Sequence, residues 1–460
     1  MIFNMHDSGN TLGFDVVNGL TAPASPDEGT VWFKTSLDIN DVYVADEAPT
    51  SASEGDAWVR TLTGGPICKL WVPDGNTSTA LNIYTLNIYT GGKWVDCGGG
   101  VQTITFGSDA STWVDMTYKV YGISRTVGDS SWIWSRTDYA QMFNATSSFG
   151  TTAGSSDFDS CYPWNGITRE TLSSGDVMVK IPKFWYKRYI EDNVEYIKIA
   201  DTAVTGYELH PAFFHSDVAK DYVYVAAYIT SSGNKSATNA SPTVSQTRAT
   251  MRTNAKAKGT GWGLIDVSTV SAVQMLMMVE FASSNLQYSI GYGYHYSVGS
   301  GYANTGTSDS VPNLTGAADC VTVVYRGIED FWGNLEEFVD GINWSAGTYY
   351  VCNNPSNYAD DTSSGYTALS FTGSTNWSRS YITKEGLDTN KPHVILPQEA
   401  GSGSNSTYDC GFVSGGSGWR VATHGGYASD DYGCGPFTWY FGWSSSQAKA
   451  RVSSRLIYIP

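Results

Sequence analysis

Two stretches of the first hundred residues are copies of one another. Ala22-Pro23-Ala24-Ser25-Pro26-Asp27-Glu28-Gly29-Thr30-Val31-Trp32-Phe33-Lys34-Thr35 aligns with Ala48-Pro49-Thr50-Ser51-Ala52-Ser53-Glu54-Gly55-Asp56-Ala57-Trp58-Val59-Arg60-Thr61 at a constant offset of 26 residues. A period this short accommodates one supersecondary unit per copy. In each copy a proline-led loop and a Glu-Gly turn precede a short run centred on Trp, the pattern of a small β-hairpin. A second duplication, Leu81 to Thr85 repeated at Leu86 to Thr90, runs through Gly91-Gly92 into Lys93-Trp94-Val95-Asp96. Residues 1–100 therefore read as repeated small β modules in series, structural rather than catalytic.

Gly98-Gly99-Gly100 marks the expected boundary, and residues 101–460 form the second domain. Its composition reads as α+β, mostly β. Val177-Met178-Val179-Lys180-Ile181-Pro182 has strand character. Residues 245–258 contain no Pro or Gly before Gly259, which predicts a polar-faced helix with a glycine stop. Ser268 to Gln287 carries Val270, Val273, Met277 and Phe281 at spacings of three and four, with Met275, Leu276 and Val279 alongside. That pattern predicts a helix packed on nearly every side, its methionines filling space rather than holding a cofactor. Beyond residue 285 the chain is dominated by Gly, Ser, Tyr, Asn and Trp with short strands, regular secondary structure is hard to assign, and long ordered loops are expected there.

The charge balance narrows the partners. Lys plus Arg number 27 against 44 Asp plus Glu, a net charge of −17. Such a chain repels phosphate backbones and anionic lipid heads, so neither nucleic acid nor membrane insertion is expected. Seven cysteines form no CxxC pair and leave an odd count, which argues against a disulfide framework and a structural zinc site. The opening MIFNMHDSGN lacks a basic start followed by an apolar run. Synthesis in a cytoplasm is the expectation.

The common catalytic signatures HExxH, GxSxG, GxxxxGK[ST] and GxGxxG after a strand do not occur. His210 and His215 flank Pro211-Ala212-Phe213-Phe214, a spacing that suits a core or turn role rather than a metal. Asp330, Glu336, Glu337 and Asp340 could serve glycoside hydrolysis as paired acids. Because they alternate with Trp332, Leu335, Phe338 and Val339, a buried hydrogen-bonded network is the stronger reading. No catalytic residue, metal ligand or cofactor is assigned.

From Tyr427 to Ser454 the chain is rich in Tyr, Trp, Ser and Gly without a period of two or 3.6. Large rings with few rotatable bonds, spaced by small polar residues, are what antibody loops use for recognition. Phe437, Trp439 and Phe441 read as core, whereas Asp430, Asp431, Tyr432 and Tyr440 read as exposed, since burying them would demand many satisfied polar tips.

Several phrases together carry a resemblance. Met178-Val179-Lys180-Ile181-Pro182, Gly259-Thr260-Gly261-Trp262, Gln274-Met275-Leu276 and Arg326-Gly327-Ile328-Glu329-Asp330-Phe331-Trp332-Gly333-Asn334-Leu335-Glu336-Glu337-Phe338 are the first group. Gly418-Trp419-Arg420, Gly425-Gly426, Gly435-Pro436-Phe437, Ser444-Ser445-Ser446 and Ser454-Arg455-Leu456-Ile457-Tyr458-Ile459-Pro460 are the second. They resemble the variable proteins of diversity-generating retroelements, whose C-type-lectin-type fold is shared with formylglycine-generating enzymes. The resemblance covers residues 105–460, and the repeats upstream look like tail-fibre attachment segments.

It implies a phage tail-fibre, receptor-binding protein with a variable region at about 418–460 that grips a bacterial surface receptor, protein or glycan. Phage tail components and a homotrimeric state are the further partners implied, with the virion tail-fibre tip as location. Carried over by position, the displayed ligand-binding residues are Tyr427, Ser429, Asp430, Tyr432, Gly433, Thr438, Tyr440, Gly442, Trp443, Gln447, Lys449 and Arg451, with Tyr427, Asp430, Tyr432 and Tyr440 foremost. Trp443, Gln447 and Lys449 do not fit an adenine-mutated Asn codon, which leaves fixed positions or an inactive region as alternatives. Cys410 and Cys434 share no local motif, so the likeness to the enzyme implies fold and not activity. The alternatives are a tail-associated glycan depolymerase using Asp330 and Glu336, and a surface-displayed cellular variable protein.

Overall fold

The computed structural model describes residues 119–146, 154–215, 217–295, 301–309, 322–373, 380–401, 410–411, 418–430 and 433–460, together with short strands between residues 2 and 96. Gly98-Gly99-Gly100, Asp431 and Tyr432 lie outside the described residues. The chain forms two compact units, Met1–Tyr121 with Thr137–Met142, and Gly122–Arg136 with Phe143–Pro460. Among the described residues no helix is long and apolar enough to cross a membrane.

In the first unit the 26-residue repeat extends into the strand that precedes each copy. Val16–Asn18 pairs in parallel with Val31–Thr35, and Val42–Val44 pairs in parallel with Ala57–Arg60. The registers repeat at the same offset, Val17 opposite Trp32 and Tyr43 opposite Trp58. The unit is thus not the hairpin expected from its turn residues. Antiparallel pairing comes from a later strand, Ile83–Thr90 in one copy and Lys69–Trp71 in the other. An antiparallel pair is formed instead by Ile83–Thr90 with Lys93–Asp96.

The second unit is mostly β with few helices, as expected. One sheet runs Thr168–Thr171, Val177–Pro182, Tyr222–Ala226, Leu456–Tyr458, Trp262–Leu264, each pair antiparallel. The last strand of the chain is therefore wedged between strands more than two hundred residues apart from it at one side and nearly that at the other, which closes the unit. A six-stranded sheet runs Thr367–Thr372, Thr348–Val351, Glu336–Ser345, Trp419–Gly425, Gly435–Trp443, with Val452–Ser454 joined in parallel to the start of Glu336–Ser345. These strands lie in the region where short strands and long ordered loops are expected. The length of Glu336–Ser345 was not anticipated, because it is buried through its first nine residues and polar and apolar residues do not alternate along it.

The predicted core helix is Val267–Phe281. Asp266 caps it by accepting from the Thr269 amide at 2.8 Å. It ends short of Gln287 because Ala282 turns left-handed, φ 48°, and Asn285 caps a separate turn Leu286–Ser289. Met275, Met277 and Met278 are fully buried. The helix Arg248–Lys256 begins at Thr247, whose hydroxyl accepts from the Thr250 amide. Its Arg248 reaches the bulge between Val339 and Asn343, donating to Val339 O at 2.9 Å and Ile342 O at 2.7 Å. Removing that cap with Thr247→Ala is expected to lower stability by about 1 kcal/mol in urea titration, with the slope unchanged.

His210 is a core residue, as its spacing suggested. It caps the turn Pro211–Phe213, its Nδ1 accepting from the Ala212 amide.

Candidate ligand-binding face

The strand Gly435–Trp443 positions most of the residues singled out near the C-terminus. Phe437, Trp439 and Phe441 point inward and are buried. Trp439 packs against Phe441 and against His424 of the neighbouring strand, and Phe441 meets Tyr349 at 5.2 Å. The strand is also pinned to the core helix: the Pro436 carbonyl accepts from Gln274 Nε2 at 2.5 Å and pairs with His424 Nε2 at 2.7 Å. Toward the end of the strand the chain comes to the surface, and Tyr440, Gly442 and Trp443 are each part-exposed.

Six of the sequence-chosen residues meet there. The Arg451 guanidinium carbon lies 5.2 Å from the Tyr427 ring centre, 5.9 Å from Tyr440 and 5.6 Å from Trp443. Tyr440 and Trp443 contact edge to face at 4.9 Å, and the Lys449 ammonium sits 5.0 Å above Trp443. Asp430 approaches Arg451 Nη2 at 3.3 Å and accepts from the Tyr427 amide at 3.0 Å. The Arg451 side chain keeps 33 % of its surface exposed, so the cluster faces solvent while remaining packed. Guanidinium over ring faces is an attraction of about 0.5–1 kcal/mol at such exposure.

Beneath this cluster lies Glu336, which the sequence offers as a member of an acidic network or as one acid of a depolymerase pair. Glu336 is buried and accepts from Trp443 Nε1 at 2.8 Å, Thr423 Oγ1 at 2.7 Å and Arg451 Nε at 2.7 Å, and it also pairs with Arg451 Nη2. Its own amide donates to the Arg451 carbonyl at 3.1 Å. Burial pushes the Glu336 carboxyl above its ordinary value, against the pull of Arg451, Thr423 and Trp443. Burial lowers the Arg451 guanidinium, but the charges of Glu336 and Asp430 outweigh it and hold the group above its usual range. Arg451 therefore remains a cation at any ordinary pH.

Other assigned residues stand apart from this centre. Ser429 is exposed, and Gly433, Gly442 and Gln447 are part-exposed. Thr438 is a correction: it is 4 % exposed, with its hydroxyl donating to Gly433 O at 3.0 Å, because its side of the strand is covered at that point. Tyr432 lies outside the described residues.

The remaining acids of the cluster have structural partners. Glu337 is held by Arg455, Asp340 by Arg252, and Glu329 accepts from the Gly306 and Ser308 amides at 2.8 and 2.9 Å. Asp330 accepts from Asn334 Nδ2 at 3.0 Å. Asp330 and Glu336, the pair that a depolymerase would use, are each 1 % exposed. Among the described residues no group of three His, Cys, Asp or Glu side chains is placed to hold a metal ion. No family model matches the chain, and no curated protein matches it.

Proposed function

We propose that this chain is a phage tail-fibre, receptor-binding protein that attaches to a bacterial surface ligand through its C-terminal aromatic face, with side chains diversified by a retroelement. The observation that carries the reading is the meeting of Tyr427, Asp430, Tyr440, Trp443, Lys449 and Arg451 at one part-exposed cluster. These residues come from separate turns and strands, and the only feature uniting them in the sequence was their place between scaffold phrases. Rings and a guanidinium are the side chains that dominate recognition hot spots. Of the scaffold phrases, Gly425-Gly426, Gly435-Pro436-Phe437 and Ser454-Arg455-Leu456-Ile457 are buried, which supports the same reading, whereas Gly418-Trp419-Arg420 and Ser444-Ser445-Ser446 are exposed or part-exposed. The closure of the unit by its own last strand, with few helices beside open, mostly antiparallel sheets, is compatible with a C-type-lectin-type fold. In this reading the 26-residue repeats join the domain to the tail, three chains assemble, and binding rather than covalent chemistry is the activity.

The test is adsorption of fluorescently labelled full chain to a panel of bacterial strains, with Tyr440→Ala alongside. The expected result is saturable binding to a subset of strains, weakened roughly tenfold or more by Tyr440→Ala while the melting transition stays cooperative. Release of new reducing ends from capsule by the parent chain would instead favour the depolymerase. A reverse-transcriptase gene beside an imperfect copy of the codons for residues 418–460 would supply independent support.

A further inference from the structure

Resting on that reading, the geometry points to a division of the face into a fixed part and a replaceable part, with Glu336 as the positioning residue of the fixed part. Arg451 and Trp443 are both tied to the two oxygens of this one buried carboxylate. Neither can be exchanged alone without consequence. Replacing Arg451 leaves a buried carboxylate with its cation gone, the situation in which breaking one partner costs far more than the pair contributes. Replacing Trp443 removes a second donor from the same group. Lys449 differs, since it touches the indole only from above and no carboxylate holds it among the described residues. The backbone tie from the Glu336 amide to the Arg451 carbonyl fixes the base of the arginine as well.

Arg451 is thus a constant anchor rather than a diversified position. Its Nε and Nη2 are directed at Glu336 and Asp430, while Nη1 meets no acceptor among the described residues. That edge, ringed by Tyr427, Tyr440 and Trp443, is what the fixed part offers to an oxygen acceptor on the ligand. Specificity then resides in the side chains around it.

The experiment compares the full chain with Glu336→Gln, Arg451→Gln, the double variant Glu336→Gln/Arg451→Gln, and Lys449→Ser. Arg451→Gln is expected to lower the melting temperature by roughly 5 °C or more, and the double variant to recover most of that loss because no lone charge stays buried. Lys449→Ser should melt within about 2 °C of the parent. In protein labelled with 5-fluorotryptophan, the fluorine signal assigned to Trp443 should move in Glu336→Gln. Folded Glu336→Gln, which keeps every residue of the face, should lose at least about tenfold in adsorption to a strain that the parent binds. Arg451→Gln melting with the parent, an unmoved Trp443 signal, or full adsorption by folded Glu336→Gln would each overturn the inference. A parent that adsorbs to no strain would remove the receptor reading alone, and the melting and fluorine arms would still decide whether the fixed unit exists.

Discussion

Replacing Arg455 with Met is expected to destabilise the second unit by about 3–5 kcal/mol, the range for stripping one partner from a buried ion pair. The guanidinium is fully buried and faces Glu337 at 2.6 Å, with Nε bonds of 3.0 and 3.1 Å to the same carboxylate. It also donates to three backbone carbonyls, Ala226 O at 2.9 Å, Glu329 O at 2.8 Å and Asp330 O at 3.0 Å. One side chain therefore joins the last strand to the strand Tyr222–Ala226, to the Glu329-Asp330 turn and to the central strand. A methionine fills much of the volume but satisfies none of these acceptors. Burial already raises the Glu337 carboxyl, and Arg455 is what pulls it back. Without that cation the carboxyl would take up a proton at a higher pH, so the loss should be smaller at pH 5 than at pH 8. The double variant Glu337→Gln/Arg455→Met should recover part of the loss. Urea unfolding of the four proteins at both pH values measures this, and equal stability of Arg455→Met and the parent would refute it.

This pair also shows where reading the sequence stops. Glu337 and Arg455 lie 118 residues apart, and Glu336 and Arg451 lie 115 apart. Local spacing carries no signal for such partners. The acids could be recognised as network members because they sit among Trp332, Leu335, Phe338 and Val339, but the cations that complete them were legible only as members of a C-terminal phrase. The core helix was legible because its apolar residues leave no polar stripe, and the inward rings Phe437, Trp439 and Phe441 as an aromatic-rich core strand, without a period to mark it. Carry-over by position from the resemblance misplaced Thr438, whose hydroxyl finds a local carbonyl and so tolerates burial. The strand Glu336–Ser345 was missed because burial on both faces erases the period-two signal on which strand prediction depends. Glu336 shows both effects at once: its burial was readable, while its place under the displayed residues came only from the fold.

Lowering the pH from 7 to 5 is expected to draw about 2 kcal/mol of stability from each of His393 and His424, at roughly 1.4 kcal/mol per pH unit per group below the ordinary histidine value. Burial lowers His393 to about 3, with Lys391 and Arg188 adding to it, and lowers His424 to about 4, opposed by its bond to Pro436 O and aided by Arg455. The sign follows from proton counting. Below pH 6.5 the unfolded chain binds a proton at each imidazole while the folded chain does not, so the stability conferred by neutral burial is complete above that pH and lost as pH falls toward 4 and 3. Asp266, Glu336 and Glu337, raised mainly by burial, act in the opposite direction by taking up protons first in the folded state. The net slope is a competition, and the informative quantity is the difference from a histidine variant. His424→Gln can keep a donor toward Pro436 O and has no proton to gain. Its stability deficit relative to the parent should therefore shrink by about 2 kcal/mol between pH 7 and pH 5, measured by urea titration at each pH. Because His424 packs against Trp439 and shares the Pro436 carbonyl with Gln274, its protonation would loosen the strand that carries the aromatic face. Adsorption to a bound strain should then weaken in acid before global unfolding, and less so in His424→Gln; a deficit independent of pH would show that the imidazole is not held neutral.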